Sequence, residues 1–112
     1  MTREAFINML IYKGYPHKVE GDKLIVTTRK NLEVDIYLNE LTALPPNVVF
    51  ENEGDVNLIM IQKIPTSVEF KNGGGVLMAM KTGGWIYEWD GNIEGIDFKR
   101  LLNGMIKRGV FL

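Results

Sequence analysis

Residues 35–54, DIYLNELTALPPNVVFENEG, and residues 55–74, DVNLIMIQKIPTSVEFKNGG, read as two copies of one 20-residue unit. Laid one above the other they are identical at Asp35/Asp55, Leu38/Leu58, Pro45/Pro65, Val48/Val68, Phe50/Phe70, Asn52/Asn72 and Gly54/Gly74. Aliphatic residues exchange at Ile36/Val56, Leu41/Ile61 and Leu44/Ile64, and a further unit starts in phase with Val76 and Met78 before stopping at Lys81. A fixed period of this length signals stacked coils, because one unit cannot bury its own apolar face. The apolar residues at alternate positions within each unit mark extended segments with one inward face. Pro45 and Pro65 mark one corner, and the Asn-x-Gly at 52–54 and 72–74 marks another. Each coil is therefore expected to hold two short strands and two corners, with strands of successive coils paired in parallel about 4.8 Å apart.

So few repeats do not stand alone, since roughly three or more are needed for stability. The flanking segments must then serve as caps. In residues 1–31, Thr2 suits an N-cap and Glu4 the first helical turn. Phe6, Met9, Leu10 and Lys13 follow at helical spacing, and Gly14 before Tyr15-Pro16 ends the helix. Residues 17–20 and 23–28 form a hairpin around Gly21-Asp22. Residues 32–81 hold the repeat. In residues 82–112, Gly83-Gly84 breaks it and Trp85, Tyr87 and Trp89 alternate along a strand. Asp97 then caps an amphipathic helix bearing Phe98, Leu101, Leu102, Met105 and Ile106, closed by Gly109, with residues 110–112 folding back onto the body. The expected fold is α+β: a single domain with a short parallel β-solenoid-like stack, an N-terminal helix–hairpin cap and a C-terminal amphipathic helix.

The stretch from Leu41-Thr42-Ala43-Leu44-Pro45 to Val48-Val49-Phe50-Glu51-Asn52-Glu53-Gly54 resembles the L-T-x-L-P-x-x-V-x-F-x-N-G-G-x-V-x-L units of small phage and prophage repeat proteins. The ending from Gly91 to Asn103 resembles their C-terminal segment, and Lys13-Gly14-Tyr15-Pro16 after the opening helix resembles their start. Residues 39–45 are more loosely similar to the short bacterial leucine-rich repeat, without its second Leu-Pro step. The resemblance implies a phage-type accessory protein working in the host cytoplasm. Many of these inhibit a host defence complex by binding it, among them anti-CRISPR proteins that act on an effector nuclease.

Composition narrows the chemistry. The 112 residues are 46% hydrophobic and 24% charged, a globular balance, and the formal net charge of −1 gives no global pull toward nucleic acid or an anionic membrane. The absence of cysteine removes thiol nucleophiles, disulfides and cysteine-type metal sites, and fits a reducing cytosol. No run approaches the roughly 20 apolar residues of a membrane span, and the N-terminus lacks a signal-peptide core. The chain reads as soluble.

Each candidate site in the sequence also has a plainer role. His17 is the sole histidine, which argues against a triad or a multi-histidine metal site. Residues 75–82 read G-x-x-x-x-M-K-T, with Met80 where a P-loop needs glycine. Asp90, Asn92, Glu94 and Gly95 match the start of a calcium loop, but Leu101 stands where its bidentate glutamate belongs. Asp35 and Asp55 stack in register, either as solvated corner residues or as an acid/base pair. Trp85, Tyr87 and Trp89 either seal the stack or offer an aromatic platform. Lys99, Arg100, Lys107 and Arg108 on the last helix either are solvated or meet phosphates or an acidic protein surface.

No cofactor, metal or catalytic set is expected. The expected activity is non-enzymatic binding of a host protein or ribonucleoprotein complex, by a monomer or homodimer, through Trp85, Tyr87, Trp89, Lys99, Arg100, Lys107 and Arg108. The alternatives are a nucleic-acid-binding module using the basic helix and the aromatic strand, and a small enzyme using Asp35 and Asp55.

Overall fold

The computed structural model describes residues 1–27, 35–79, 86–89, 92–93 and 96–112. Thr28, the Met80-Lys81-Thr82 and Gly83-Gly84 positions, Trp85, Asp90, Gly91, Glu94 and Gly95 lie outside them.

Helix α1 spans Arg3–Lys13. The Thr2 hydroxyl accepts from the Ala5 N–H at 3.1 Å, which occupies a donor the first turn cannot use internally. At the other end Gly14 turns left-handed at φ 75°, and the N–H groups of Gly14 and Tyr15 return to Ile11 and Leu10. Lys13 reaches Glu40 at 2.8 Å and ties the helix to the first repeat unit. Hydrogen bonding from that ammonium holds the Glu40 carboxyl below its usual range.

Strands β1 (His17–Glu20) and β2 (Lys23–Val26) form the expected antiparallel hairpin, with Gly21 at φ 63°. The repeat contributes β3 (Ile36–Tyr37), β4 (Val48–Phe50), β5 (Val56–Leu58), β6 (Glu69–Phe70) and β7 (Val76–Ala79). After it come β8 (Ile86–Trp89), the small antiparallel pair β9 (Asn92–Ile93) and β10 (Ile96–Asp97), and helix α2 (Phe98–Lys107). Two mixed four-stranded sheets result, ordered β1-β2-β4-β6 and β3-β5-β7-β8.

Within the sheets the 20-residue period becomes register. Ile36 pairs with Val56 and Val56 with Val76, while Val49 pairs with Glu69 and Phe50 with Phe70, all in parallel. The same offset appears at an isolated parallel bridge between Ala43 and Lys63, a further point of contact along each unit. Side chains one period apart therefore meet in the interior. Leu38 with Leu58, Leu41 with Ile61, Leu44 with Ile64 and Val48 with Val68 are all buried in one cluster. The Phe50 and Phe70 rings stack with centroids 5.0 Å apart and planes 5° from parallel. Phe6 and Leu10 of α1 and Leu102 and Ile106 of α2 complete this cluster. The radius of gyration, 13.3 Å, is that of a compact small α+β domain.

Three details depart from the sequence reading. β2 is more than half of a cap, because it pairs in parallel with β4, Leu24 beside Val48 and Val26 beside Phe50. Leu101 is 44% exposed, since the helix turns its Leu102/Ile106 stripe to the core and Leu101 falls roughly 100° aside. At the C-terminus Phe111 packs on the core while Val110 and Leu112 remain exposed. No helix among the described residues is long and apolar enough to cross a membrane.

Candidate functional site

The aspartates that recur with the repeat are held by backbone groups of the neighbouring layer. Asp35 Oδ1 accepts the Asp55 N–H at 2.7 Å, and Asp55 Oδ1 accepts the Gly75 N–H at 2.7 Å. Each carboxylate thus compensates a donor one period further on, and these donors offset the repulsion between stacked like charges. Tyr37 adds a long hydroxyl contact to Asp35 Oδ2 at 3.4 Å. The column of acids and the Tyr37/Asn57/Leu77 column border a recess of about 140 Å³.

At the adjacent corner Asn52 and Asn72 are each 1% exposed. Asn52 Nδ2 donates to the carbonyls of Gly54 and Asp55. Asn72 Nδ2 lies within hydrogen-bonding reach of the carbonyls of Gly54, Gly74 and Gly75, so it joins its own corner to the one below. Layers approach so closely here that a Cβ on Gly74 would come 2.8 Å from the Gly54 carbonyl carbon. Glycine is required at that position by the neighbouring backbone itself.

Two of the sheet edges, those of β3 and β6, are closed by single polar side chains. At the outer edge of β3 the Tyr37 N–H donates to the Tyr15 hydroxyl at 3.0 Å, and that hydroxyl is 3.5 Å from the Tyr37 carbonyl. At the outer edge of β6 the Asn103 amide takes the place of a strand: its Oδ1 accepts the Phe70 N–H and its Nδ2 donates to the Phe70 carbonyl, both at 2.8 Å. Lys99 donates to the Asn72 carbonyl beside it, and the Ile64 N–H donates to the Phe111 carbonyl at 2.8 Å. The C-terminal helix and tail therefore carry hydrogen bonds that a further repeat unit would otherwise make. Replacing Asn103 with alanine should cost about 1–3 kcal/mol, because it strands two backbone groups at once. Urea unfolding of N103A checks this, together with amide exchange at Phe70, which should accelerate.

Of the residues expected to meet a partner, Lys99 is partly buried in this cap. Arg100 and Lys107 lie exposed on α2, and Arg108, also exposed, follows directly after it. Arg100 and Lys107, with Lys99, Glu69, Phe70 and Asn103, line an open groove of about 500 Å³ between α2 and β6. Tyr87 and Trp89 stand in β8, in backbone register with Met78 and Val76, whereas Trp85 lies outside the described residues. The basic helix lies against β6 of one sheet and also reaches β8, the aromatic strand that pairs with β7 in the other sheet.

His17 opens β1, half-buried, with Nδ1 3.1 Å from the Tyr15 carbonyl. Gly75 leads directly into strand β7, not into the helix a P-loop requires. Sequence reasoning missed Tyr15 and Asn103. Their only signal is position: one follows the first helix, and the other interrupts the polar face of the last.

Comparison of the chain with family models, curated proteins and solved structures finds no match.

Proposed function

We propose that this chain is a non-enzymatic binding protein: a short solenoid-like stack serves as a rigid scaffold, and the basic outer face of α2 holds an acidic macromolecular surface. The observation that carries the reading is the division of labour among polar side chains. Asp35, Asp55, Asn52, Asn72 and Asn103 are engaged by backbone groups within the scaffold, whereas Lys107 and Arg108 are displayed at the exposed end of α2. Cations presented from a packed helix keep a fixed spacing, which favours a structured acidic partner. An acid/base enzyme is less well supported, since one oxygen of each aspartate already serves a neighbouring N–H.

The likeness to phage and prophage repeat proteins supports the partner class. On that reading the chain acts in the host cytoplasm and blocks a host defence complex, with a CRISPR effector nuclease or its guide-loaded form the leading target. The basic helix also favours a nucleic-acid-binding reading, which carries the signature of steep salt dependence.

Tagged protein should retain an effector complex from host lysate, and expression should restore phage plating under interference. The double reversal K107E/R108E should abolish capture while leaving the circular dichroism spectrum unchanged. Wild-type capture by no effector, with plating unaffected, would overturn the inhibitor reading. Retention of bare nucleic acid that fades with salt would select the alternative.

A further inference from the structure

β3 and β6 are closed at their outer edges by Tyr15 and Asn103, but no described residue closes β1 in this way. Lys18, Val19 and Glu20 are all exposed, with Val19 at 57%. The direction of its backbone groups follows from the hairpin. The Thr27 N–H donates to the Pro16 carbonyl at 2.9 Å, so by antiparallel alternation Lys18 and Glu20 bond inward to β2. On the far side of β2, Leu24 N–H reaches Asn47 and the Val26 carbonyl accepts from Glu51, which fixes the same alternation independently. The N–H and C=O groups of His17 and Val19 consequently point away from the sheet.

We propose that two copies of this chain associate through β1, antiparallel, with Val19 opposite the second copy's Val19. The outward groups of His17 and Val19 admit two symmetric registers, and charge chooses between them. One places Lys18 against the second copy's Lys18, where directly opposed like charges repel. The other places Lys18 against the second copy's Glu20 and Glu20 against its Lys18, so both contacts become attractive. In that register each Val19 donates its N–H to the other's carbonyl. Val19 also shares a face with its register partner Leu24, a core residue, so the two valines extend the apolar face across the dyad. The pairing joins the two β1-β2-β4-β6 sheets into one. Strand pairing this short falls below the roughly 1,200 Å² of stable complexes, so the dimer is weak and reversible.

Sedimentation velocity of the full chain, up to roughly millimolar concentration, should show monomer–dimer exchange. Val19→Pro removes only an outward N–H, a position at which an edge strand tolerates proline, and should give a monomer with unchanged circular dichroism. Lys18→Glu and Glu20→Lys should each be monomeric alone, because each opposes like charges across the dyad. Mixed one to one, they should recover association at wild-type strength. The charge pair decides the matter even if the proline variant fails to fold. A wild-type chain that remains monomeric throughout overturns the proposal. So do single reversals that associate like wild type, or a mixture that stays monomeric.

Discussion

Phe50→Ala should destabilise the protein by about 3–5 kcal/mol, the usual range for removing a fully buried phenylalanine. Phe50 is 0% exposed and occupies the middle of a column between Val26 of β2 and Phe70 of β6. Truncation removes the ring and leaves one face of Phe70 against a void. Neighbouring layers cannot collapse into that space, because their spacing is set by parallel backbone hydrogen bonds about 4.8 Å apart. Domains of this size are stable by only about 5–15 kcal/mol, so the variant should sit near its unfolding midpoint at modest urea. Phe50→Leu should recover most of the burial but not the ring stacking, which contributes about 0.5–1.5 kcal/mol beyond area. Urea unfolding of both variants, with the m-value held equal, separates these contributions. A loss below about 1 kcal/mol for Phe50→Ala would mean the column is loosely packed, contrary to the 5.0 Å ring spacing.

The columns that this experiment probes were legible in the sequence because they are chemically conservative along the chain. Val48 over Val68 and Phe50 over Phe70 announce both a period and an inward face. The membership of β2 was not legible, since Leu24 and Val48 are further apart than one period and the hairpin carries no Asn-x-Gly corner. The Ala43–Lys63 bridge was hidden for a different reason. Backbone pairing there links side chains of unrelated chemistry.

The candidate site was legible only as a set of residue types. Asp35 and Asp55 recur at the first position after a corner, and a short carboxylate there can reach the N–H one layer on. Their sequence reading as solvated or catalytic lacked the three-dimensional fact that this donor would otherwise be unpaired. Lys99 illustrates the same limit. A lysine on the polar side of an amphipathic helix reads as solvent-facing, yet the Asn72 carbonyl just past β6 draws the Lys99 ammonium in against the sheet. Single polar side chains standing in for a strand, such as Tyr15 and Asn103, have no periodic signature at all. They are the price of ending a repeat without another unit.

Asn72→Asp should be still more disruptive than its near-identical size suggests. Asn72 Oδ1 is buried without a hydrogen-bond partner among the described residues, so the side chain contributes entirely through Nδ2. That nitrogen faces the carbonyls of Gly54, Gly74 and Gly75, an arrangement that also fixes the amide orientation, since a flipped amide would set oxygen against oxygen. Aspartate makes that clash unavoidable and adds a buried charge without a cation, so a loss above about 3 kcal/mol is expected at neutral pH. The sign of its pH dependence is distinctive. Burial against carbonyls raises the folded-state pKa of the new carboxyl above its unfolded value of about 3.9. Its deficit therefore grows as pH rises from the unfolded pKa toward the folded one, and shrinks in acid, where the protonated group can donate once. Asn72→Ala lacks the proton and should show a deficit of about 1–3 kcal/mol that does not change between pH 4 and pH 7. Paired urea titrations of the two variants across that range decide whether the amide acts as a donor between layers. Parallel pH profiles for D and A at position 72 would refute that role.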